Sequence, residues 1–279
     1  MEVPMKRRML PLLGALLFLL AACSPKDPAP TVSPTPSVTP APTVSQTPEP
    51  TPTPTQAPAP VWGEQVSECS RYDETEGDVL LVSGKFSLPL IENAGGVAAY
   101  EAINNYYLDL SAGLRSDTLA NAPQAAEDYT LSKAMDYPFS PYSDEETFEI
   151  KRETSRMVSV LRTHYGYTGG VYPTLLYLSD NFDLTTGEKL TFADFFTDPD
   201  QAETLIRSTL QTAADHGVDD DEAVRLNALL TSFKRENFYL TDDAMVFFTQ
   251  PDQDTPHAAG AAEGSVSFTA LGGLLVDWN

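Results

Sequence analysis

Asp215, His216 and the run Asp219-Asp220-Asp221-Glu222 are the densest grouping of side chains able to ligate a metal or move a proton. Their types would suit calcium. A carboxylate run directly ahead of an apolar-periodic segment is, however, what a helix N-terminus favours, because it opposes the positive end of the macrodipole. Asp180, Asn181 and Asp183 lack the spacing of an EF-hand loop and read as turn formers. The histidines are His164, His216 and His257, and apart from His216 none has a second ligand at metal-binding spacing. The chain has no Gly-x-Ser-x-Gly elbow, His-Glu-x-x-His helix, Cys-x-x-Cys pair or phosphate-cradling glycine loop. No catalytic residue, metal or cofactor is assigned. Tyrosines are the better clue: Tyr165, Tyr167, Tyr172 and Tyr177 flank a Gly169-Gly170 connection. Each joins a large apolar face to a hydrogen-bonding tip, which suits protein or glycan contacts. Tyr165, Tyr167 and Tyr172 are the candidate ligand-binding residues, with core or cross-strand packing as the alternative.

Cys23 carries a different chemistry. It follows Leu20-Ala21-Ala22 at the end of a leader in which Lys6, Arg7 and Arg8 precede an apolar stretch, Met9 to Leu20, broken only by Pro11 and Gly14. About 12 apolar residues cannot cross a hydrocarbon core that needs ~20, so residues 1–22 read as a secretory signal peptide. The Leu-Ala-Ala-Cys sequence resembles a bacterial lipobox. That resemblance implies diacylglycerol on the Cys23 thiol and a chain anchored to the membrane rather than spanning it. An ordinary signal peptide with a chance cysteine is the alternative. With Cys23 lipidated, Cys69 has no partner for a disulfide, and stability must come from a hydrophobic core. Cys69 is expected as a small buried apolar side chain in a strand over 65–72.

The formal net charge is −23, and removal of the basic leader makes it more negative. Such a field disfavours nucleic acid and anionic headgroups and steers cationic partners inward, in a salt-dependent way. Solubility of an exported domain is the plainer reason for the same charge.

From Cys23 to Pro60 the chain is nearly all Pro, Thr, Ala, Ser and Val and cannot bury a core. It reads as a disordered, polyproline-rich spacer that would reach ~115 Å at ~3.1 Å per residue. Residues 61–279 form the folded part. Extended segments are expected over 61–82 and 84–89. Val97, Tyr100, Ile103, Tyr107, Leu110 and Leu114 then recur at helical spacing, with continued helix over 118–135 interrupted near Pro123. Strands are expected at 147–154, 155–168 and 173–183, and a turn at 184–188. Asp198-Pro199 opens a helix with Ala202, Leu205, Ile206, Leu210 and Ala213 on one face, and a second helix spans 222–235. Strands at 238–240, 244–250 and 264–271 close the chain. The expected class is α+β, a single domain with an antiparallel sheet covered by helices behind the spacer.

Two stretches carry a further resemblance. YTGGVYPTLLYLSDNFDLTTGEKLTFADFF (Tyr167 to Phe196) and FYLTDDAMVFFTQPDQDTPHAAGAAEGSVSFTAL (Phe238 to Leu271) resemble the extracytoplasmic domain of RsiV-type anti-sigma factors, which senses lysozyme, and the N-terminal domain of PdaC-type peptidoglycan deacetylases. Val171-Tyr172 stands where the family commonly has Ala-His before the turn proline, and His257 replaces the aromatic of the closing motif. No sigma-binding segment or deacetylase module accompanies the domain, so neither activity is carried over. What the resemblance implies is recognition at the envelope. The reading is therefore a non-enzymatic surface lipoprotein on the outer face of the cytoplasmic membrane, in a Gram-positive type of envelope. Its ligand would be lysozyme, another cationic protein or cell-wall glycan. The alternatives are a peptidoglycan-acting hydrolase using two facing carboxylates, and a structural envelope module.

Overall fold

Alternating burial along Leu80–Ile91 and helical spacing along Ala98–Ala120 set the first layer of the computed structural model, which describes residues 57–216, 220–251, 254 and 260–279. The signal peptide, Cys23, the spacer up to residue 56, Asp219 and His257 lie outside the described residues. Strand β1 (Trp62–Tyr72) pairs antiparallel with β2 (Leu80–Ile91). Their connection, within the stretch expected as extended segments over 61–82, is a turn. The Asp73 carboxylate accepts hydrogen bonds from Thr75 N, Thr75 Oγ1 and Glu76 N at 2.9, 2.6 and 2.8 Å. Pro89 is tolerated in β2 because it lies beyond Val82–Phe86, the stretch paired to the next strand.

Helix α1 (Ala98–Ala120) buries Tyr100, Ile103 and Tyr107 against Leu88, Ile91, Val158, Val160 and Phe182. Helix α2 (Ala122–Met135) follows after Asn121, and Pro123 sits in its first turn, where no intrahelical bond needs its missing N–H. The interruption expected near Pro123 falls at Asn121, just before the proline. This helix pair is the crossover that lets β2 run parallel to β3 (Tyr142–Glu153); the remaining pairings of the six-stranded sheet are antiparallel. The order continues through β4 (Met157–Tyr167), β5 (Thr174–Asp183) and the short β6 (Lys189–Leu190). The parallel pairing starts β3 at Tyr142, earlier than alternation suggested.

The chain then builds a second layer. Asp198 caps α3 (Pro199–His216) by accepting from Gln201 N at 3.0 Å, and α4 (Asp220–Thr231) begins at the acidic run, as a helix N-terminus favours. Ala202, Ile206 and Leu210 from α3 and Leu226 and Leu229 from α4 pack on a three-stranded sheet of β7 (Phe238–Leu240), β8 (Ala244–Phe248) and β9 (Glu263–Ser267). The last expected strand stops at Ser267, whose Oγ caps a short helix, α5 (Phe268–Leu271). Gly264 is required on β9: a Cβ there would lie 2.7–2.9 Å from methyls of Leu210, Leu229 and Leu226.

The two sheets meet across the face of β4 and β5 opposite α1. Leu161, Tyr177, Tyr239, Val246 and Phe248 form the apolar seam. Leu240 N donates to Ser159 Oγ at 2.9 Å, and Gln250 bonds both backbone polar groups of Tyr177 at 2.9 and 2.6 Å. Val276 N donates to Phe195 O at 3.0 Å, so the C-terminal segment is tied to the same layer.

Candidate functional site

The β4–β5 hairpin pairs without a slip from Met157↔Asp183 to Gly166↔Thr174, and this register decides which side chains share a face. Val158, Val160, Arg162 and His164 point toward α1. Leu161, Thr163 and Tyr165 leave the opposite face. The division follows from the two-residue period of a strand; what the α1 face holds beside its apolar residues does not.

That face holds a buried charge ladder. Arg162 is 5% exposed, Glu146 1% and Asp180 0%. Arg162 Nε donates to Asp180 Oδ2 at 2.6 Å, and its Nη1 donates to Glu146. Lys189 also donates to Asp180, and Tyr106 OH donates to Asp180 Oδ1 at 3.0 Å. At the outer end, His164 Nδ1 lies 2.9 Å from Glu146 Oε2. Burial alone would disfavour each charge, but pairing prevails. Arg162 is held above its ordinary pKa by Asp180 and Glu146, and Asp180 is held below the usual carboxylate value by Arg162 and Lys189. The hydrogen bond to Glu146 raises the His164 pKa. Two carboxylates, one guanidinium and one ammonium balance, so the ladder ties β3, β4, β5, β6 and α1 together without a net buried charge.

Beyond this rigid root lies the hairpin tip, where the candidate tyrosines gather. Tyr165 is 37% exposed, Val171 87% and Tyr172 67%. Tyr167 is half-buried and shares a shallow depression of about 170 Å³ with Tyr137, Phe139 and Tyr142. Gly169 takes φ +86, and a Cβ there would lie 3.0 Å from the Tyr142 ring, so the connection needs glycine for both reasons. Tyr142 OH donates to Asp128 Oδ2 at 2.5 Å, and burial together with this carboxylate pushes the phenol up to about 12. Asp144 stands beside the same root: it accepts from Thr118 Oγ1 at 2.6 Å and lies 3.9 Å from His164 Nε2. The tip is therefore an exposed aromatic and aliphatic edge with carboxylates from α2 and β3 at its base.

Tyr165 and Tyr172 are exposed, and Tyr167 lines the shallow depression. Tyr177 does not belong to the group. It packs edge-on against Phe248, ring centroids 6.1 Å apart, in the seam between the sheets. Asp183 is a turn former, accepting from Thr185 N and Oγ1 at 2.7 and 2.6 Å. Asp180 is not: it sits within β5 as the ladder's anchor. Its signal in the sequence was the polar alternation His164, Arg162 on an otherwise apolar strand face, which demands buried counter-charges. Cys69 is half-buried rather than buried, with Sγ 3.9 Å from Arg115 O, because β1 is the edge strand of its sheet. Among the described residues there is no cluster able to hold a metal ion and no helix long and apolar enough to cross a membrane.

Comparison with known proteins covers both layers. Residues 76–174 match the family model described as deacetylase PdaC, and residues 193–269 match the one described as a protein of unknown function, DUF3298. The fold is similar to the crystal structure of a DUF3298 family member from Bacteroides fragilis, with TM-score 0.60 and 16% identity over 79% of this chain and 95% of that one. It is also similar to a DUF3298 family protein from Pseudomonas aeruginosa, with TM-score 0.53 and 14% identity over 79% and 96% of the two chains. No curated protein matches the chain.

Proposed function

We propose, on the premise that this chain belongs to the PdaC/DUF3298 domain family, that it is a non-enzymatic recognition module held at the outer face of the cytoplasmic membrane by lipid on Cys23. Its ligand is a cationic protein, for which lysozyme is the probe, and its contact surface is the tip of the β4–β5 hairpin. The observation that carries this reading is the exposure of Tyr165, Val171 and Tyr172 at one end of a chain of net charge −23. Aromatic anchors supply contact area at low entropic cost, while the acidic field raises the encounter rate.

The rigid root supports recognition over hydrolysis. A glycosidase needs one carboxyl pushed upward so that it stays protonated as an acid. Among the described residues, burial would raise the carboxyl of Asp180, yet Arg162 and Lys189 hold it below its ordinary value. Glu146 and Asp180, both buried, are both committed to Arg162. Calorimetric titration with lysozyme at low and moderate salt tests the proposal. Binding that weakens as salt rises is expected, and absence of heat at both salts rejects the cationic-protein ligand, leaving cell-wall glycan as the competing one. Fatty-acid labelling of the wild type and of Cys23→Ala tests the anchor separately.

A further inference from the structure

The depression at the base of the hairpin tip is walled mainly by aromatic rings. Tyr137, Phe139, Tyr142 and Tyr167 border its volume of about 170 Å³, and Asp128 supplies its charge. Tyr137 is exposed and stands at the rim, while Tyr142 is buried and stands at the floor. Gly169 keeps that floor open, because a Cβ there would lie 3.0 Å from the Tyr142 ring and 3.4 Å from Asp128 Oδ2. Asp128 itself is half-buried, and its hydrogen-bond partners are neutral: the Tyr142 hydroxyl donates to Oδ2 at 2.5 Å and Gln124 Nε2 donates to Oδ1 at 3.2 Å. Each carboxylate oxygen keeps room for a further donor. Among the described residues, no cation pairs with it.

The charge around the depression has one sign. Residues 137–142 and 167–169 include no Lys or Arg, and the one basic side chain of α2, Lys133, is held by Glu76. Glu127 and Asp136, which precede Asp128 and Tyr137 in the chain, are both exposed and add negative charge. A carboxylate short of a counter-charge attracts a cation by its field, and aromatic rings attract one by their quadrupole, more strongly where water is displaced. An anion is repelled by the same groups, and an apolar group would cover Asp128 without pairing it. The space is smaller than the ~300 Å³ at which drug-sized sites begin, so it suits one side chain rather than a whole small molecule. We infer that the depression receives a single lysine or arginine side chain of the partner, its charge on Asp128 and its methylenes on Tyr137 and Tyr167. The partner's identity rests on the hairpin-tip reading, whereas the pocket can be tested without that partner.

The full chain, with ¹³C-labelled tyrosine rings, is titrated by NMR with N-acetyl-lysine methylamide, with N-acetyl-arginine methylamide and with N-acetyl-norleucine methylamide as the uncharged control. At millimolar probe, shifts are expected at Tyr137 and Tyr167 for at least one cationic probe, smaller in high salt, with the norleucine probe silent. The stronger responder identifies the side chain. Asp128→Asn keeps an acceptor for the Tyr142 hydroxyl but removes the charge, and Tyr137→Leu removes the rim ring; each should weaken the response about threefold or more. Tyr137 is exposed, so its variant keeps the test valid if Asp128→Asn unfolds. Silence of both cationic probes, an equal response to norleucine, or a response unchanged in Tyr137→Leu overturns the inference. Lysozyme bound with wild-type affinity by Tyr137→Leu also overturns it and leaves the hairpin-tip reading standing. A cation response in a chain that does not bind lysozyme supports the pocket and rejects that partner.

Discussion

His164 stands directly across the β3–β4 ladder from Glu146, with Nδ1 2.9 Å from Oε2, and the other oxygen of that carboxylate receives Arg162. The hydrogen bond to Glu146 raises the imidazole pKa above its ordinary value, burial and Arg162 oppose the rise, and Asp144 adds to it. A folded-state pKa above the unfolded one means that protonated His164 stabilises the fold. The contribution is complete below the unfolded value of ~6.5 and is lost as pH rises through the raised folded value. Urea unfolding from pH 5 to 8 should therefore show His164→Gln most destabilised relative to wild type at the acid end, with the gap closing toward pH 8. A gap that widens with pH would contradict the assignment.

Removing Arg162 exposes what the ladder costs when broken. Arg162→Met leaves Glu146 with only His164, and Asp180 keeps only Lys189 and the Tyr106 hydroxyl. The expected loss is ~3–5 kcal/mol by denaturant unfolding. Adding Glu146→Leu and Asp180→Asn to the same chain should recover much of it, because the uncompensated charges go with the cation.

Gly264 and Gly113 make opposite predictions from the same substitution. Gly264→Ala drives a methyl into Leu210, Leu226 and Leu229 and should cost ~1–3 kcal/mol, separating α3 and α4 from β9. Gly113 lies inside α1 with nothing within 4 Å of a Cβ, so Gly113→Ala should stabilise by ~0.5–1 kcal/mol. Thermal unfolding of the two variants distinguishes them by sign.

At the hairpin tip, Tyr172→Ala and Val171→Ser change exposed positions and should leave stability within ~0.5 kcal/mol of wild type. Lysozyme affinity should fall at least tenfold in Tyr172→Ala, since a central aromatic anchor carries a large share of binding energy. Retained affinity with unchanged stability would move the contact surface away from the tip.

What could be read without coordinates was local. Spacing of three and four placed Tyr100, Ile103 and Tyr107 on one helical face, Asp198-Pro199 opened a helix, and the glycines at 169 and 170 located the hairpin tip with its tyrosines. Each depends on near neighbours in the chain, where backbone geometry leaves few choices. The parallel pairing of β2 with β3 could not be read, because it is decided by how the α1–α2 pair packs across the sheet. Nor could the partners of Arg162, which lie 16 and 18 positions away on different strands. Composition and periodicity determined the class of this protein and the location of its exposed tyrosines. Tertiary structure alone decided which charges meet, because strand register, a long-range property, assigns neighbours that the chain order does not contain.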